Sequence, residues 1–362
     1  MLDFTSALYL GLDHSSSSLP GWSQLTLGKP AVLEELEAVA QTERELAELT
    51  ASEAALLGSS TLHLFWDLFG SLADPRWTIL VDEGSYPIAR WGTERAAAGG
   101  AVVRSFARHD VNALRANMAS HRRTRPVVVT DGFSPTEGIA APLQDYADCV
   151  AAQGGFMIVD DTQALGILGT SPDLFPPYGR GGGGSVARLA RGRQQVVVVS
   201  SLAKAFGVPI AMLAGGAPLL DCLREHGSTR VHCSPPSAAV LAAAQRALHY
   251  NRHCGDSLRA RLASRVSRFR RGLRELGIAG VPGWFPVQTL RLSGAARAES
   301  VHERLLRRGV RAVLHRGPGR RAPGISFIVT ARHRQCEIDR ALSLLAEVVT
   351  SASAARFHAR SG

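Results

Sequence analysis

Between residues 77 and 200, five short apolar runs alternate with stretches of helical periodicity. The runs are WTILVD (77–82), AVVRSF (101–106), PVVVTD (126–131), FMIVDD (156–161) and QVVVVS (195–200). Each is too short for a core helix and rich in β-branched residues, so each reads as a buried strand. Helical patterns fall at 35–49, 87–98, 109–120 and 142–153. Strands and helices in alternation predict an α/β fold with a mostly parallel sheet. In such a sheet the ligand lies beyond the carboxyl ends of the strands, which makes the residues closing each run the ones to inspect. They are polar: Asp82, Asp131, Asp160, Asp161, Ser200 and Ser201. One acidic strand end is commonplace, because Asp also caps a following helix. Several along one edge outline a pocket.

A lysine stands just beyond the last run. In VVVVSSLAKAFG (196–207), Lys204 is one of only two lysines in the chain, the other being Lys29, although lysine and arginine together number 41. A lysine at the end of a core strand is cut off from bulk water, and burial lowers the pKa of an ammonium group until the neutral amine is accessible. Arginine forms no imine, so a chain that uses arginine elsewhere and lysine here points to imine chemistry. The alternative reading is a lysine that snorkels to the surface or pairs with a carboxylate. The usual electrophile for a buried lysine is pyridoxal phosphate, whose site also needs a carboxylate for the pyridine nitrogen and donors for the phosphate.

Length and a 45% apolar composition fit one large domain with a smaller companion. No apolar run approaches the ~18 residues of a membrane span, and MLDFTSALYLGLDH at the start has no basic segment before its apolar one. The expectation is a cytoplasmic chain with no membrane partner. Cys149, Cys222, Cys233, Cys254 and Cys336 form no CxxC pair and no metal-spaced cluster, which predicts a reduced compartment and no metal. A net charge of +10 admits nucleic acid. The arginines, however, are scattered through helical stretches such as SRVSRFRRGLREL (264–276) and VHERLLRRG (301–309) without a nucleic-acid motif. A polyanionic small molecule, such as a phosphorylated cofactor or a coenzyme A thioester, explains the charge better than a nucleic acid.

Several segments together resemble the fold type I pyridoxal phosphate enzymes of aminotransferase class I/II and, within them, the α-oxoamine synthases. That group includes 8-amino-7-oxononanoate synthase and glycine C-acetyltransferase. SSLAKAFG (200–207) is similar to the group's T-F-S-K-A-F-G, and VVVTDGFSPTEGIAAPL (127–143) to V-T-D-G-V-F-S-M-D-G-x-x-A-P-L. VDDTQALGILG (159–169) resembles V-D-D-A-H-G-x-G-V-L-G, YGRG (178–181) the G-R-G that follows, and ALYLGL (7–12) the segment N-D-Y-L-G-L. The resemblance implies Lys204 as the Schiff-base lysine and Asp160 facing the pyridine nitrogen, where a carboxylate keeps the ring an electron sink. It places Ser201 at the phosphate, together with the turn in ALLGSSTLHLF (55–65), where Ser60 and Thr61 open a helix. The same serine and threonine also read as an ordinary helix cap. Asp131 and Ser134 are implied as further cofactor contacts.

The departures from the pattern bear on the reaction. Tyr86, in VDEGSYPIARWG (81–92), stands where the synthases carry a ring-stacking histidine, and Gln163 stands where they carry a second one. A tyrosine stacks equally well, and an amide still donates to the cofactor's phenolic oxygen, but neither offers the proton exchange of an imidazole. VHCSPP (231–236) replaces S-T-S-x-P-P, with His232 or Ser234 implied to reach the phosphate across a dimer interface. Arg316, in VLHRGPGRRAPGISF (313–327), is the candidate for the substrate carboxylate, or else a solvated arginine. WSQLTLGKPAVLEELE (22–37) is abbreviated relative to the synthases, and RGGGG (180–184) reads as a flexible lid or an unstructured insertion.

The implied organisation is an N-terminal segment (1–50), a large domain with a seven-stranded, mostly parallel sheet flanked by helices (51–245), and a smaller C-terminal α/β domain (246–362). PPSAAVLAAAQRALHY (235–250) opens the long helix joining them, and CEIDRALSLLAEVV (336–349) carries the C-terminal helix. By resemblance the chain forms a homodimer and condenses an amino acid with an acyl thioester, carried on coenzyme A or on an acyl carrier. An aminotransferase or another carbon–carbon bond reaction on the same scaffold is the alternative. A non-catalytic, cofactor-binding regulatory module is a third reading.

Overall fold

The structure is a computed structural model that describes residues 1–19, 26–292, 295–315 and 323–358. Seven strands form the main sheet: β1 (Ala54–Gly58), β2 (Trp77–Asp82), β3 (Val102–Phe106), β4 (Arg125–Asp131), β5 (Phe156–Asp160), β6 (Val196–Ser201) and β7 (Ala211–Gly215). Their order across the sheet is β1-β7-β6-β5-β4-β2-β3. Only β7 runs against its neighbours. The five expected strands recur with shifts of a residue or so. β1 and β7, AALLG and AMLAG, escape a periodicity reading because alanine and glycine carry no strand signature.

Helices close both faces of this sheet, as a parallel sheet requires. Ile79, Val81, Val127, Val129, Ile158, Val197 and Val199 pack on one side with Leu64, Phe65, Leu68 and Phe69 of α2 (Thr61–Ser71) and Ala89 and Ala96 of α3 (Pro87–Ala98). The alternate residues Leu80, Val128, Met157, Val159 and Val198 pack on the other side, with Tyr146 and Val150 of α5 (Leu143–Ala151) and with Leu241 and Leu248 of the long helix below. α1 (Glu37–Thr50) and α4 (Val111–Ser120) complete the layers. The Asp110 carboxylate caps α4 by accepting from the N–H groups of Asn112 and Ala113 at 2.9 Å. After β7 come α6 (Ala217–His226) and the short α7 (Ser228–His232).

α8 (Ala238–Glu275) then spans 38 residues and leads to an antiparallel sheet of β8 (Val287–Leu290), β9 (Val313–His315) and β10 (Gly324–Ile328). α9 (Ala295–Arg307) packs against it, and α10 (Gln335–His358) packs on α8 and α9. Phe269 of α8 lies 5.1 Å from the ring of Phe327, so the long helix is part of both cores.

The glycine-rich segment is neither a flexible lid nor an unstructured insertion. Gly182, Gly183 and Gly184 are buried, Gly166 N–H donates to the Gly182 carbonyl at 2.7 Å, and Gly184 N–H donates to the Leu168 carbonyl at 2.8 Å. Arg259 of α8, 1% exposed, donates to the Gly166 carbonyl and to Asn251 Oδ1 at 2.8 Å each. Asn251 in turn donates to the Gly181 carbonyl at 3.0 Å, and Gly181 N–H donates to Asp256 Oδ1 at 3.0 Å. The glycines are needed for shape: Gly184 sits at φ +89°, and a Cβ there would land on the Asp161 carboxylate. Gly184→Ala should therefore cost roughly 2–5 kcal/mol, the sum of left-handed strain and overpacking. Gly181→Ala, at φ +80° but with open space around it, should cost only about 1–2 kcal/mol. Urea unfolding midpoints of the two variants give the comparison; equal losses would mean that Gly184 does not pack as described.

Candidate active site

The site forms where β4, β5 and β6 end. Asp131 and Asp160 are register partners on neighbouring parallel strands, so their carboxyls project side by side from one face. Two residues back lie Val129 and Ile158, on the face packed against α2 and α3. Both carboxyls thus point toward the side from which those helices start. After β6 the chain turns through Leu202–Gly207, pinned by Leu202 N–H to the Ile210 carbonyl (2.9 Å) and Val208 N–H to the Leu202 carbonyl (3.1 Å). Lys204 sits in this turn. Gly207, at φ +68°, brings the turn against the Leu12 carbonyl, 2.5 Å from where a Cβ would be, so ALYLGL is its backing. His14 Nε2, 2.9 Å from the Phe206 carbonyl, adds a second tie.

Thr162, which the sequence reading passed over, joins the carboxylate to the lysine turn. Its N–H donates to Asp160 Oδ1 at 3.0 Å, and its hydroxyl oxygen accepts from Ser201 N–H at 3.0 Å. The Thr162 side chain favours the charged form of Asp160. Burial works the other way and raises Asp160, opposed by the Thr162 hydrogen bonds and by the positive charge of Lys204. Burial also pulls Lys204 below the usual lysine value, against the attraction of Asp160 and Asp131. Asp131 is pushed up to about 8, first by burial and then by the like charge of Asp160.

The other acidic strand ends serve the fold and are spent before they reach the pocket. Asp82 accepts from Gly84 N–H at 2.7 Å, from His109 N–H at 3.1 Å and from the Tyr146 hydroxyl at 2.9 Å, and is fully buried on the α5 side. Asp161 accepts from the Ser185 N–H at 2.8 Å and from the Ser185 hydroxyl; burial pushes it up to about 6.

Around the pair, Tyr86 precedes α3 and gives its backbone N–H to Asp131 Oδ1 at 2.9 Å, while its ring is 55% exposed. Gln163 Oε1 accepts from the buried Tyr9 hydroxyl at 2.7 Å, which orients the amide so that Nε2 stays available as a donor. The resemblance had pointed to ALYLGL without singling out Tyr9. Ser60 caps α2, its Oγ accepting from His63 N–H at 3.4 Å, and the first-turn N–H groups at Thr61 have no intrahelical partner. Ser201 Oγ accepts from Ala203 N–H at 3.2 Å. Ser134 is buried and accepts from Arg108 Nη2 at 2.9 Å, leaving its own hydrogen free to donate; Arg108 also pairs with Glu137. His232 and Ser234 are exposed and make no hydrogen bond with this group among the described residues. Arg316 lies outside the described residues. Among the described residues no group of three or more His, Cys, Asp or Glu is placed to hold a metal ion.

The sequence model for aminotransferase class I and II matches residues 24–345. The chain belongs to that family. Pyridoxal phosphate is the cofactor of its members. Among curated members, the 8-amino-7-oxononanoate synthase of Methylococcus capsulatus is 31% identical over 334 residues, covering 91% of this chain and 81% of that protein. The synthase of that name from Nitrosococcus oceani is 29% identical over 253 residues, 69% of this chain, and the match spans 64% of that protein, less than two thirds of its length. Among solved folds, Sphingomonas wittichii serine palmitoyltransferase superposes with a TM-score of 0.85 at 20% identity, covering 97% of this chain and 88% of that one.

Proposed function

We propose that the chain is a pyridoxal phosphate-dependent transferase that condenses an amino acid with an acyl thioester, on coenzyme A or on an acyl carrier. The observation that carries the reading is a half-buried lysine beside a carboxyl pair, in a family whose curated relatives include 8-amino-7-oxononanoate synthases.

The donor set suits the cofactor. An amine disposed to lose its proton, a carboxyl beside it, a helix N-terminus at Ser60–Thr61 and an amide donor at Gln163 match an aldehyde, a pyridine nitrogen, a phosphate and a phenolic oxygen. Bound there, pyridoxal phosphate supplies an electron-accepting ring for bond breaking at the substrate α-carbon. Lys204 Nζ, its pKa lowered by burial, is placed to take the α-proton and return it. Asp160, anchored by Thr162, holds a proton on the pyridine nitrogen. Gln163 Nε2 and the Ser134 hydroxyl hydrogen orient the phenolic edge, and Ser201 supports the phosphate side.

The Tyr86 and Gln163 positions keep transamination as a second reading, since neither is an imidazole. One assay separates the two. A panel of small amino acids offered with acyl-CoA should release free thiol in step with amino acid consumption. Thiol release that ignores the amino acid, or full conversion of the cofactor to its amine form by an amino acid alone, would overturn the condensation.

A homodimer fits the same reading. Leu62 and Trp66 of α2, Trp91 of α3 and Val231 of α7 are 43%, 47%, 56% and 38% exposed, on helices that pack against one another beside Tyr86. Solvent-exposed apolar residues gathered in this way mark an interaction surface. Sedimentation should give twice the chain mass, and Trp91→Glu should shift it toward monomer; a native chain that sediments as a monomer would remove the dimer. No helix among the described residues is long and apolar enough to cross a membrane, and the five cysteines are free, which supports a cytoplasmic setting.

A further inference from the structure

The stretch HYNRH (249–253), in the first half of α8, sets two histidines four residues apart, so both side chains leave the same face of the helix one turn from each other. Both are exposed, and neither imidazole takes part in a hydrogen bond or an ion pair among the described residues. Their ring centroids nonetheless stand 4.2 Å apart, with the planes tilted by 52°. The polar groups beside them are engaged elsewhere. Arg246, three residues before His249, donates to the Ser18 hydroxyl and to the Ser18 carbonyl at 2.6 Å each, and Arg252 pairs with Glu45 at 3.4 Å. Cys254 Sγ, next to His253, donates to the Tyr250 carbonyl at 3.2 Å.

Imidazole is the commonest side-chain ligand for metal ions, and the four-residue spacing is the one by which a helix offers two histidines to a single ion. The separation of the rings fits that use. An ion about 2.1 Å from one nitrogen of each ring stands roughly 3.2 Å from each ring centre, and centres 4.2 Å apart close that triangle at about 80°. Neighbouring ligands in the square-planar or tetragonal shells that Cu²⁺ and Ni²⁺ adopt with nitrogen donors stand at about 90°. We infer that His249 and His253 form a bidentate site for one divalent transition-metal ion of the Cu²⁺ or Ni²⁺ kind, with water in the remaining positions.

The site is a pair, below the three-ligand clusters that are absent among the described residues. It shares no residue with the lysine pocket, so it does not depend on the condensation reading. Bound there, the ion cross-links one turn of α8. That turn carries the buried Asn251, whose amide donates to the Gly181 carbonyl at 3.0 Å, so the cross-link also steadies the helix against the glycine-rich segment.

The test is equilibrium dialysis of the tag-free, full-length chain against Ni²⁺ at neutral pH, beside His249→Ala and His253→Ala. Ni²⁺ is the probe because, unlike Cu²⁺, it does not oxidise the five free cysteines. The native chain should hold one ion more than either variant. Its thermal midpoint should also rise further on adding Ni²⁺ than theirs, because an ion that binds only the folded chain stabilises it by mass action. Both histidines are exposed, so neither alanine opens a cavity, and circular dichroism confirms that each variant is folded. His226→Ala, which removes an exposed histidine at the end of α6, should bind as the native chain does. The inference is overturned if the native chain binds no Ni²⁺, if either α8 variant holds as many ions as the native chain, or if His226→Ala loses the same ion. Because binding is read without cofactor or turnover, it stands or falls separately from the condensation assay.

Discussion

Lys204→Ala should abolish borohydride fixation of pyridoxal phosphate to the chain and lower turnover by at least the 10²–10⁴-fold that a positioned proton-transfer group contributes (an order-of-magnitude scale). In the native protein, reduction followed by tryptic mapping should place the cofactor on the peptide holding Lys204. Lys29 is an internal control, a lysine 52% exposed and paired with Glu34. Lys204→Arg separates charge from imine chemistry, because it restores a cation beside Asp160 and Asp131 but forms no imine. Both variants should fail to fix the cofactor. An adduct on Lys29, or fixation in either variant, would show that the buried amine is not the attachment point.

The strands that hold the pocket were legible because Val196–Val199 and Val127–Val129 are β-branched runs that suit a two-sided sheet and little else. That same continuity concealed which acidic strand ends share a face. With both faces apolar there is no alternation to set the register, so the strand ends alone leave Asp82, Asp131, Asp160 and Asp161 equivalent, and only the resemblance points to Asp160 and Asp131. Register separates them. Asp131 and Asp160 follow Val129 and Ile158 by two and share their face, whereas Asp82 follows Val81 by one and turns away to Tyr146. Thr162 and Tyr9 were hidden for another reason: their contribution is a hydrogen bond to a residue distant in sequence, 39 positions away for Thr162 and Ser201 and 154 for Tyr9 and Gln163. The glycine run misled because composition cannot distinguish glycines that move from glycines selected for close approach. Gly184 against Asp161 is the second kind. Lys204 is the candidate that stands out most readily, since its rarity and its place after a core strand are both visible in the chain.

Asp160→Ala should retain part of the bound cofactor and lose roughly 10²–10³-fold of α-proton exchange, the scale of removing one preorganised electrostatic partner. The phosphate anchors proposed at Ser60 and Thr61 make no hydrogen bond to this carboxylate, so binding should survive in part. What fails is the proton on the pyridine nitrogen, without which the ring accepts electrons poorly. Exchange of the α-hydrogen of a bound amino acid with deuterated solvent measures that step alone, before any acyl donor is needed. The fully buried neighbour supplies the contrast: Asp161 is held by Ser185 and faces the glycine segment. Asp161→Asn should therefore lower stability more than exchange, because it disturbs Ser185 and Gly184 and leaves Asp160 in place. If Asp160→Ala exchanged at the native rate while Asp161→Asn did not, the two neighbouring carboxylates would have to trade roles. The strand register that pairs Asp160 with Asp131 would then no longer describe the pocket.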